Sequence, residues 1–280
     1  MSRNVAASVR ARLKNLISPR ADFNLLTTRY GLERLLYRLS ISPHGEAFLL
    51  KGALLFTLWY QDLQRPTRDA DFLAVTPTDV SRLVAIFREV CGIDADDGVV
   101  FDPESVRGME LSIASKTGVV RITLVGDLAR ARIPIQIDIG HGDPVSPGPQ
   151  SVVFPTLLDD LPSPRLLAYP KPTVIAEKLH AICSHGFTNT RMKDYFDLDV
   201  LLHDEDVDFE QLREAIDATF RNRGTPWPAL PPVGLTFEFA TDPVKVRLWT
   251  ALQRKNRMQE MPLAQVIARI VAALGRRSLL

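Results

Sequence analysis

Three aspartates in two strand-like segments are the residues of this sequence best suited to chemistry. Asp69 and Asp71 open the segment DADFLAV, and Asp138 lies in RIPIQIDIG. Because side chains alternate along a strand, Asp69 and Asp71 project from one side, and Asp138 stands with Gln136 on the side opposite a row of isoleucines. If the two strands are neighbours, three carboxylates converge. Such a cluster suits one or two Mg²⁺ ions, since hard cations prefer oxygen ligands and share their shell with substrate phosphate.

The segment before the D-x-D pair, LKGALLFTLWYQDLQRPTR, contains groups suited to phosphate. It changes from an apolar strand to a helix at Gly52, and the backbone of Lys51, Gly52 and Ala53 at a helix start is a ready phosphate site. Arg65 and Arg68 could neutralise a triphosphate, although arginines in loops are more often only solvated. A D-x-D pair alone is weak, because most such pairs are turn or strand-end acids. The order of strand, glycine turn, helix, loop and D-x-D strand is the layout of a nucleotidyltransferase.

An α+β core is expected to position these residues. The first 39 residues predict two helices, the second capped by Asp22, and the segment after the D-x-D strand predicts a helix capped by Thr78 and closed by Gly92. Strands are predicted, in chain order, at 46–52, 69–75, 110–116, 119–126 and 132–139.

A helical C-terminal part is expected to follow a proline-rich stretch, Pro144 to Pro172, that wraps over the surface. The predicted domains are therefore 1–165, with the N-terminal helices and the core, and 166–280. Helices of the second domain are predicted at 173–185, 192–203, 208–222, 243–256 and 263–274.

Composition places the chain among globular proteins of a reducing compartment. Of the 280 residues, 46% are apolar, which is enough for a sizeable core, and the two cysteines, Cys91 and Cys183, lack metal-ligand spacing. No apolar run has the roughly 20 residues of a membrane span. The Arg-rich, acid-free start also fits a transit peptide, but its apolar spacing suits an ordinary amphipathic helix, and we expect a cytoplasmic protein with no membrane segment.

Basic residues concentrate at the two ends of the chain. Residues 1–40 hold eight Lys/Arg against two acids, and residues 245–280 hold eight against one. This distribution suggests a polyanion held by the periphery around a central carboxylate cluster, although solvated helix faces explain it equally well. At the C-terminal end the candidate RNA contacts are Arg254, Lys255, Arg257, Arg276 and Arg277.

Four motifs resemble one family. LKGALLFTLW followed by RPTRDADF resembles the LKGG…R-T-x-D-x-D signature of the AbiEii/AbiGii toxin nucleotidyltransferases, the group that includes the MenT toxins. AEKLHAI resembles the family's helical motif with a lysine before Leu-His-Ala, and RMKDYFDL resembles its R-x-x-D-x-x-D-L motif. The resemblance covers roughly residues 46 to 203 in the family's order. It implies an α+β, polymerase-β-like nucleotidyltransferase core with a mixed sheet, followed by a helical C-terminal part.

The resemblance also implies roles for particular residues. Asp69 and Asp71 would ligate the metal, with Asp138 at the third carboxylate. Lys178, from the helical C-terminal domain, would meet the nucleotide phosphates, and Asp194 would be the essential acid of the last motif.

The residues themselves leave some of these roles open. Lys178 could simply pair with Asp194, and Asp197 is an alternative to Asp194 as the functional acid, which only the resemblance disfavours. The family's second small residue is Ala53 here, so backbone N–H groups must replace a hydroxyl at the phosphate. His180 and His185 have poor spacing for a metal, and we interpret both as structural or RNA-facing.

The function implied by the resemblance is that of a toxin from a toxin–antitoxin system. It would be a Mg²⁺-dependent enzyme, with Mn²⁺ as a possible substitute, that adds nucleotides from an NTP to an RNA 3′ end and so blocks translation. The expected acceptor is tRNA, the expected partner is a cognate antitoxin, and the chain is expected to be a monomer. The alternatives are transfer to a protein or small-molecule hydroxyl and a nucleotide-binding regulator without turnover.

Overall fold

The computed structural model describes residues 5–16, 22–60, 67–111, 118–228, 231–276 and 279. The chain forms two compact units. Unit 1 comprises Met1–Gly142 and Gln150–Ala168, and unit 2 comprises Asp143–Pro149 and Tyr169–Leu280. The sequence analysis placed the domain boundary at 165/166, whereas the units change at Ala168/Tyr169 and a short insert from the proline-rich stretch falls within unit 2.

Unit 1 is an α+β core. Its helices are α1 Val5–Asn15, α2 Phe23–Ile41, α3 Leu54–Trp59 and α4 Val80–Cys91. Its strands are β1 Phe48–Lys51, β2 Asp69–Ala74, β3 Val99–Leu111, β4 Val119–Leu128, β5 Ala131–His141, β6 Gln150–Val153 and β7 Arg165–Ala168. They form one sheet of order β3-β4-β5-β2-β1-β7-β6, in which the pairs β2–β5 and β1–β7 are parallel and the others antiparallel. The predicted α+β core with a mixed sheet is confirmed.

One face of this sheet is apolar and packs against helices. A Cβ built on Gly31 of α2 would lie 2.9 Å from a methyl of Ile133, so the helix approaches β5 closely enough to require a glycine. Phe72 of β2 packs on Phe48 with ring centroids 5.9 Å apart, and Phe48 packs on Phe87 of α4 at 5.8 Å. Each such side chain stabilises the fold by about 1.5–3 kcal/mol when fully buried.

The other face of β2, β3, β4 and β5 is polar. The buried residues alternate along β4, β5 and the first half of β2, so the intervening side chains project to this second face. The polar face carries Asp69, Asp71, Arg107, Arg121, Thr123, Arg132, Gln136 and Asp138. The sheet therefore fixes the candidate carboxylates by packing its isoleucine face against α2 and α4.

Unit 2 is helical over its described residues. Its helices are α5 Lys171–His185, α6 Met192–Leu202, α7 Phe209–Asn222, α8 Phe237–Thr241, α9 Pro243–Asn256 and α10 Leu263–Gly275. The predicted helical C-terminal part is confirmed, except that the five-residue α8 was not predicted because it is too short for a periodic pattern. In the part of the chain that the structure describes, no helix has the length and apolarity to cross a bilayer.

Several local predictions are confirmed. Asp22 caps α2, since its carboxylate accepts a hydrogen bond from the Asn24 N–H at 2.9 Å. The strands with the three aspartates lie where they were predicted. Both cysteines are free thiols, with Cys91 buried and Cys183 half-buried.

Other local predictions were wrong, for identifiable reasons. The cap of α4 is Asp79, not Thr78, because the Asp79 carboxylate accepts from the Arg82 N–H. A strand was predicted at 110–116, but β3 runs from Val99 to Leu111, and residues 112–117 lie outside the described ranges. The earlier start of β3 was missed because a register shift between Asp102 and Arg107 interrupts its alternation. The proline-rich stretch contributes β6 and β7 to the sheet, and its residues 144–149 and 169–172 belong to unit 2.

Two arginines of the basic N-terminal region are buried, which corrects the idea that this region is simply a cationic surface. Arg34 is 0% exposed and lies 2.8 Å from a carboxylate oxygen of Glu33. Arg38 is 2% exposed and donates to both carboxylate oxygens of Asp97, at 2.6 and 3.0 Å. A buried cation requires such a partner because its desolvation is costly.

Replacement of Asp97 by alanine is expected to destabilise unit 1 by about 3–5 kcal/mol, because it leaves the Arg38 guanidinium buried without a counter-charge. Denaturant unfolding measures this change in the free energy of unfolding. The matched control is Asp160→Ala, which breaks the solvent-exposed ion pair with Arg12 and should leave the unfolding midpoint almost unchanged. Equal midpoints for the two variants would contradict the importance of the buried pair.

Candidate active site

The two strands with the three aspartates are parallel neighbours. In the β2–β5 register Asp71 lies beside Asp138, and Asp69 lies beside Gln136. Register partners of adjacent strands project from the same face, and so do Asp69 and Asp71 at positions i and i+2. The structure therefore brings the three predicted carboxylates to one patch of the polar face.

A row of four charged residues crosses the sheet through this patch. Lys51 of β1 is the register partner of Asp71, which neighbours Asp138, which in turn is the partner of Arg121 on β4. The two carboxylates in the middle of the row are thus flanked by one cation on each side. Like charges directly opposite each other on neighbouring strands repel. The two flanking cations reduce this repulsion between Asp71 and Asp138.

Arg121 holds Asp138 in a bidentate ion pair. Its Nε donates to Oδ1 and its Nη2 to Oδ2, each at 2.8 Å. The hydrogen bond to Asp138, helped by the charges of Asp69 and Asp71, raises the pKa of the Arg121 guanidinium above its ordinary value. The sequence analysis missed Arg121, although its place between Val120 and Ile122 in the alternating segment VVRITL puts it on the polar face.

Asp69 is oriented by its own loop. The Thr67 hydroxyl donates to Oδ1 of Asp69. Thr67 is the threonine of the R-P-T-R-D-A-D segment. This motif residue therefore positions the carboxylate of Asp69.

Gly52 lies directly against the second carboxylate. A Cβ at this position would be 2.0 Å from Oδ2 and 2.7 Å from Cγ of Asp71, and the backbone has φ +72°. Both the close approach and the left-handed conformation require glycine. The sequence analysis predicted that the helix starts at Gly52, and this was wrong. Helix α3 begins at Leu54, and Ala53 is its N-cap residue, with no side-chain cap bond.

The structure describes one of the two loop arginines that were predicted to contact phosphates. Arg65 lies outside the described residues. Arg68 is exposed, and its guanidinium lies 3.5 Å from the Asp22 carboxylate. Its phosphate role, like those of Lys51, Gly52 and Ala53, stays a prediction.

Two of the three carboxylates in the patch match what a magnesium ion needs. Mg²⁺ is commonly bound through one or two carboxylates, with water and substrate phosphates completing its shell. Asp69 and Asp71 fit this requirement as an adjacent pair on one face. Asp138 is engaged by Arg121 through both oxygens, and the described residues contain no group of three or more His, Cys, Asp or Glu placed to hold a metal. The metal role of all three aspartates stays a prediction, and the structure favours the first two.

A second charged cluster, in unit 2, contains the residues of the other two motifs. Lys178 of α5 lies 3.2 Å from Oδ1 of Asp194 and 2.7 Å from Oδ2 of Asp197, both on α6. Arg191 donates to the other oxygen of Asp194 at 2.6 Å. The side chains of Asp194 and Asp197 are only 2% and 1% exposed, so the cluster is a buried ionic network with Lys178 between two carboxylates.

Asp194 is ionised in this network. Burial by itself would raise its pKa, but the charges of Lys178 and Arg191 and their hydrogen bonds outweigh burial, so the pKa of Asp194 lies below its ordinary value. The two acids share Lys178, and Asp194 is further distinguished by its bond to Arg191.

His180 has a structural place. It is 8% exposed, packs edge-on against Phe220, and has Nε2 3.0 Å from the Thr225 hydroxyl. Burial, together with the nearby Arg223 charge, lowers its pKa to about 4, so the ring is neutral at physiological pH.

The C-terminal basic residues lie on the surface of unit 2. Arg254 and Lys255 are exposed in the last turn of α9, and Arg257 follows in a left-handed conformation with φ +54°. Arg276 is exposed after α10. Arg277 lies outside the described residues. Lys245, counted among this basic end, is instead 6% exposed and packs over the rings of two phenylalanines.

Comparison with known proteins identifies the family. Solved structures similar in fold include JHP933 from Helicobacter pylori, with a TM-score of 0.53, 15% identity and coverage of 91% of this chain and 93% of that one. Another, provisionally described as a nucleotidyltransferase from H. pylori, has a TM-score of 0.51, 16% identity and coverage of 94% and 97%. No curated protein matches the sequence. The family model for the nucleotidyl transferase AbiEii toxin of type IV toxin–antitoxin systems matches residues 34–273. The chain therefore belongs to the AbiEii family of nucleotidyltransferase toxins.

Proposed function

We propose that this nucleotidyltransferase transfers a nucleotide from an NTP to the 3′-hydroxyl of an RNA, with tRNA as the acceptor, and so stops translation. The observation that carries the proposal is the pair Asp69 and Asp71, fixed side by side on β2 with Gly52 packed against the second carboxylate. In the reaction the oxygen of the acceptor hydroxyl forms a new bond to the α-phosphorus, and the hydroxyl proton passes to solvent. The bond from the α-phosphorus to the bridging oxygen breaks, and pyrophosphate leaves.

The chain's own residues supply orientation and charge. Asp69 and Asp71 would hold Mg²⁺, or Mn²⁺ in its place, and the ion would neutralise charge developing on the reacting phosphate. Thr67 orients Asp69, and Gly52 gives backbone access beside Asp71. Arg121 holds Asp138 in place through both carboxylate oxygens, one strand away from Asp71. Preorganised charge of this kind contributes to catalysis because it costs no reorganisation in the transition state.

Lys178 is proposed to contact the nucleotide phosphates, on the family resemblance, with Asp194 as the acid that positions it. The support from the structure is that Lys178 is held between two buried carboxylates rather than extended into solvent. Such a network fixes the ammonium group in one place.

Alanine in place of Lys178 is expected to raise the KM for NTP, in a way that excess NTP partly restores, and to lower the free energy of unfolding by about 3 kcal/mol at pH 7. The folded-state pKa of Asp194 is lowered, so its stabilisation is present above the unfolded pKa of about 4 and is lost as pH falls through the lower folded value. The stability difference between variant and wild type should therefore shrink in acid. Steady-state kinetics and thermal unfolding across pH measure the two effects.

The matched control is Lys171→Ala on the same helix, where the lysine pairs with Asp204 at 2.6 Å. This variant should lose stability without any change in the NTP dependence. A Lys178 variant with wild-type NTP dependence would remove Lys178 from the nucleotide site.

The wider setting follows from the family and the proposed substrate. A toxin–antitoxin enzyme has a cognate antitoxin as its partner. We propose that the chain acts as a monomer in the cytoplasm, where tRNA and NTP are present together, and that Arg254, Lys255, Arg257, Arg276 and Arg277 contact the tRNA backbone without regard to sequence.

Incubation of the protein with total RNA and each labelled NTP in turn tests the proposal. Label is expected on RNA of tRNA size and with a preferred NTP. Label on protein or on a small molecule instead would favour the other hydroxyl acceptors, and NTP binding without transfer to any acceptor would favour a regulator.

A further inference from the structure

A groove on the polar face of unit 1 opens beside the carboxylate patch. It has a volume of about 630 Å³. Its floor is made by β4 and β5, with Thr123, Pro134 and Gln136 among the lining residues. Gln136 is also the register partner of Asp69, so the floor of the groove is continuous with the patch.

Arginines surround this groove. Arg107 comes from β3 on one side, Arg68 precedes β2 on the other, and Arg132 lies near the beginning of β5. All three are exposed, and among the described residues neither Arg107 nor Arg132 forms an ion pair with a carboxylate. Within the part of the chain that the structure describes, Arg107 donates to two backbone oxygens of its own strand, those of Glu104 and Val106.

The carboxylate that faces Arg132 in the strand register does not pair with it. Asp127 lies opposite Arg132 in the register, but its carboxylate accepts from the Arg130 N–H at 2.9 Å rather than pairing with Arg132. The guanidinium groups of Arg107 and Arg132 are therefore available to an anion. In a concave site, unneutralised cations attract polyanions strongly.

The spacing of the arginines distinguishes a polymer from a single nucleotide. Arg107 lies in the same row as Asp69, three strands away, or about 14 Å at the usual strand spacing. Arg132 lies four residues before Gln136, the register partner of Asp69, or about 13 Å along β5. The two arginines thus lie in different directions from Asp69, one across the strands and one along β5. This arrangement suits successive phosphates of a strand better than one triphosphate anchored at the aspartates.

We propose that this groove, lined by Arg107 and Arg132, holds the phosphodiester backbone of the RNA acceptor and leads its 3′ end to Asp69 and Asp71. The inference rests on the proposed function and adds the location of the acceptor strand. It concerns unit 1 alone and is separate from the C-terminal basic residues of unit 2.

The test compares Arg107→Gln/Arg132→Gln with the control pair Arg82→Gln/Arg88→Gln. The control arginines are exposed on α4, which packs against the opposite face of the sheet. Binding of 5′-labelled tRNA is measured without NTP at several salt concentrations, and the KM for NTP is measured at saturating tRNA.

The groove variant is expected to bind tRNA about tenfold or more weakly at low salt. The slope of log affinity against log salt should fall by about 1.4–1.8, which is two contacts at roughly 0.7–0.9 each. The KM for NTP should not change, the control pair should match wild type, and Arg107→Lys/Arg132→Lys should recover the slope because it restores both charges.

Two results would overturn the inference. An unchanged salt slope in a folded groove variant would show that the arginines are only solvated, and a raised KM for NTP with normal tRNA binding would assign the groove to the nucleotide. Failure of the proposed function looks different, because wild-type protein would then transfer no nucleotide to RNA whatever the salt slope.

Discussion

Alanine at position 69 or 71 is expected to abolish nucleotide transfer while leaving the protein folded. The two carboxylates stand at the edge of a patch whose apolar support lies on the other face of the sheet, so their removal takes away charge without opening the core. Loss of a group that stabilises transition-state charge typically costs about a hundredfold to a thousandfold in rate. Label transfer measures activity, and calorimetric titration with Mg²⁺ or Mn²⁺ measures the metal directly.

The matched control for this pair is Glu110→Ala, which removes an exposed carboxylate from β3 of the same sheet. It should transfer nucleotide normally. Asp138→Asn is informative in a different way, because Arg121 already holds both of its oxygens. If Asp138 is only the partner of Arg121, Asp138→Asn should keep metal binding. Full activity in either Asp69→Ala or Asp71→Ala would contradict the assignment of these two aspartates as the metal pair.

The second large effect is expected from Gly52→Ala. The added methyl would stand 2.0 Å from the Asp71 carboxylate, and the residue has φ +72°, where an L side chain costs about 1–2 kcal/mol. The Asp71 side chain must therefore move, and we expect transfer to be lost together with a modest fall in stability. Label transfer and thermal unfolding measure the two losses.

Gly224→Ala separates backbone strain from the displaced carboxylate. Gly224 has φ +63°, but a Cβ there meets nothing within 4 Å. This control should lose similar stability and retain transfer. Wild-type transfer by Gly52→Ala would show that the close approach to Asp71 has no part in the chemistry.

Much of the site could be predicted from sequence because its chemistry coincides with short-range pattern. Asp69 and Asp71 alternate with apolar residues in one strand, and Asp138 alternates with isoleucines in another. Strand periodicity alone therefore shows that each aspartate projects from the face opposite its apolar neighbours. The helices of unit 2 were equally visible, since their apolar residues recur with helical spacing.

The contacts that depend on tertiary register could not be predicted in this way. The ion pair of Arg121 with Asp138 requires knowledge of which strands are neighbours and how they align. The contact of Gly52 with Asp71 depends on the path of a turn, and the sequence suggested only a helix start.

Charge was the least reliable pattern. A count of arginines does not separate exposed ones from those that pair inside the core, and Arg34 and Arg38 proved to be buried. In contrast, Arg107 and Arg132 attracted no notice in sequence because they are separated by a turn and a strand, yet they line the same groove.

The measurement that tests the central claim most directly is label transfer from an α-labelled NTP to intact and periodate-oxidised tRNA. Oxidation destroys the 3′-terminal diol and leaves the rest of the RNA unchanged, so it removes the proposed nucleophile without removing the phosphate contacts. We expect intact tRNA to be labelled and oxidised tRNA to accept nothing. Equal labelling of oxidised tRNA, or label found only on protein, would contradict transfer to an RNA 3′-hydroxyl.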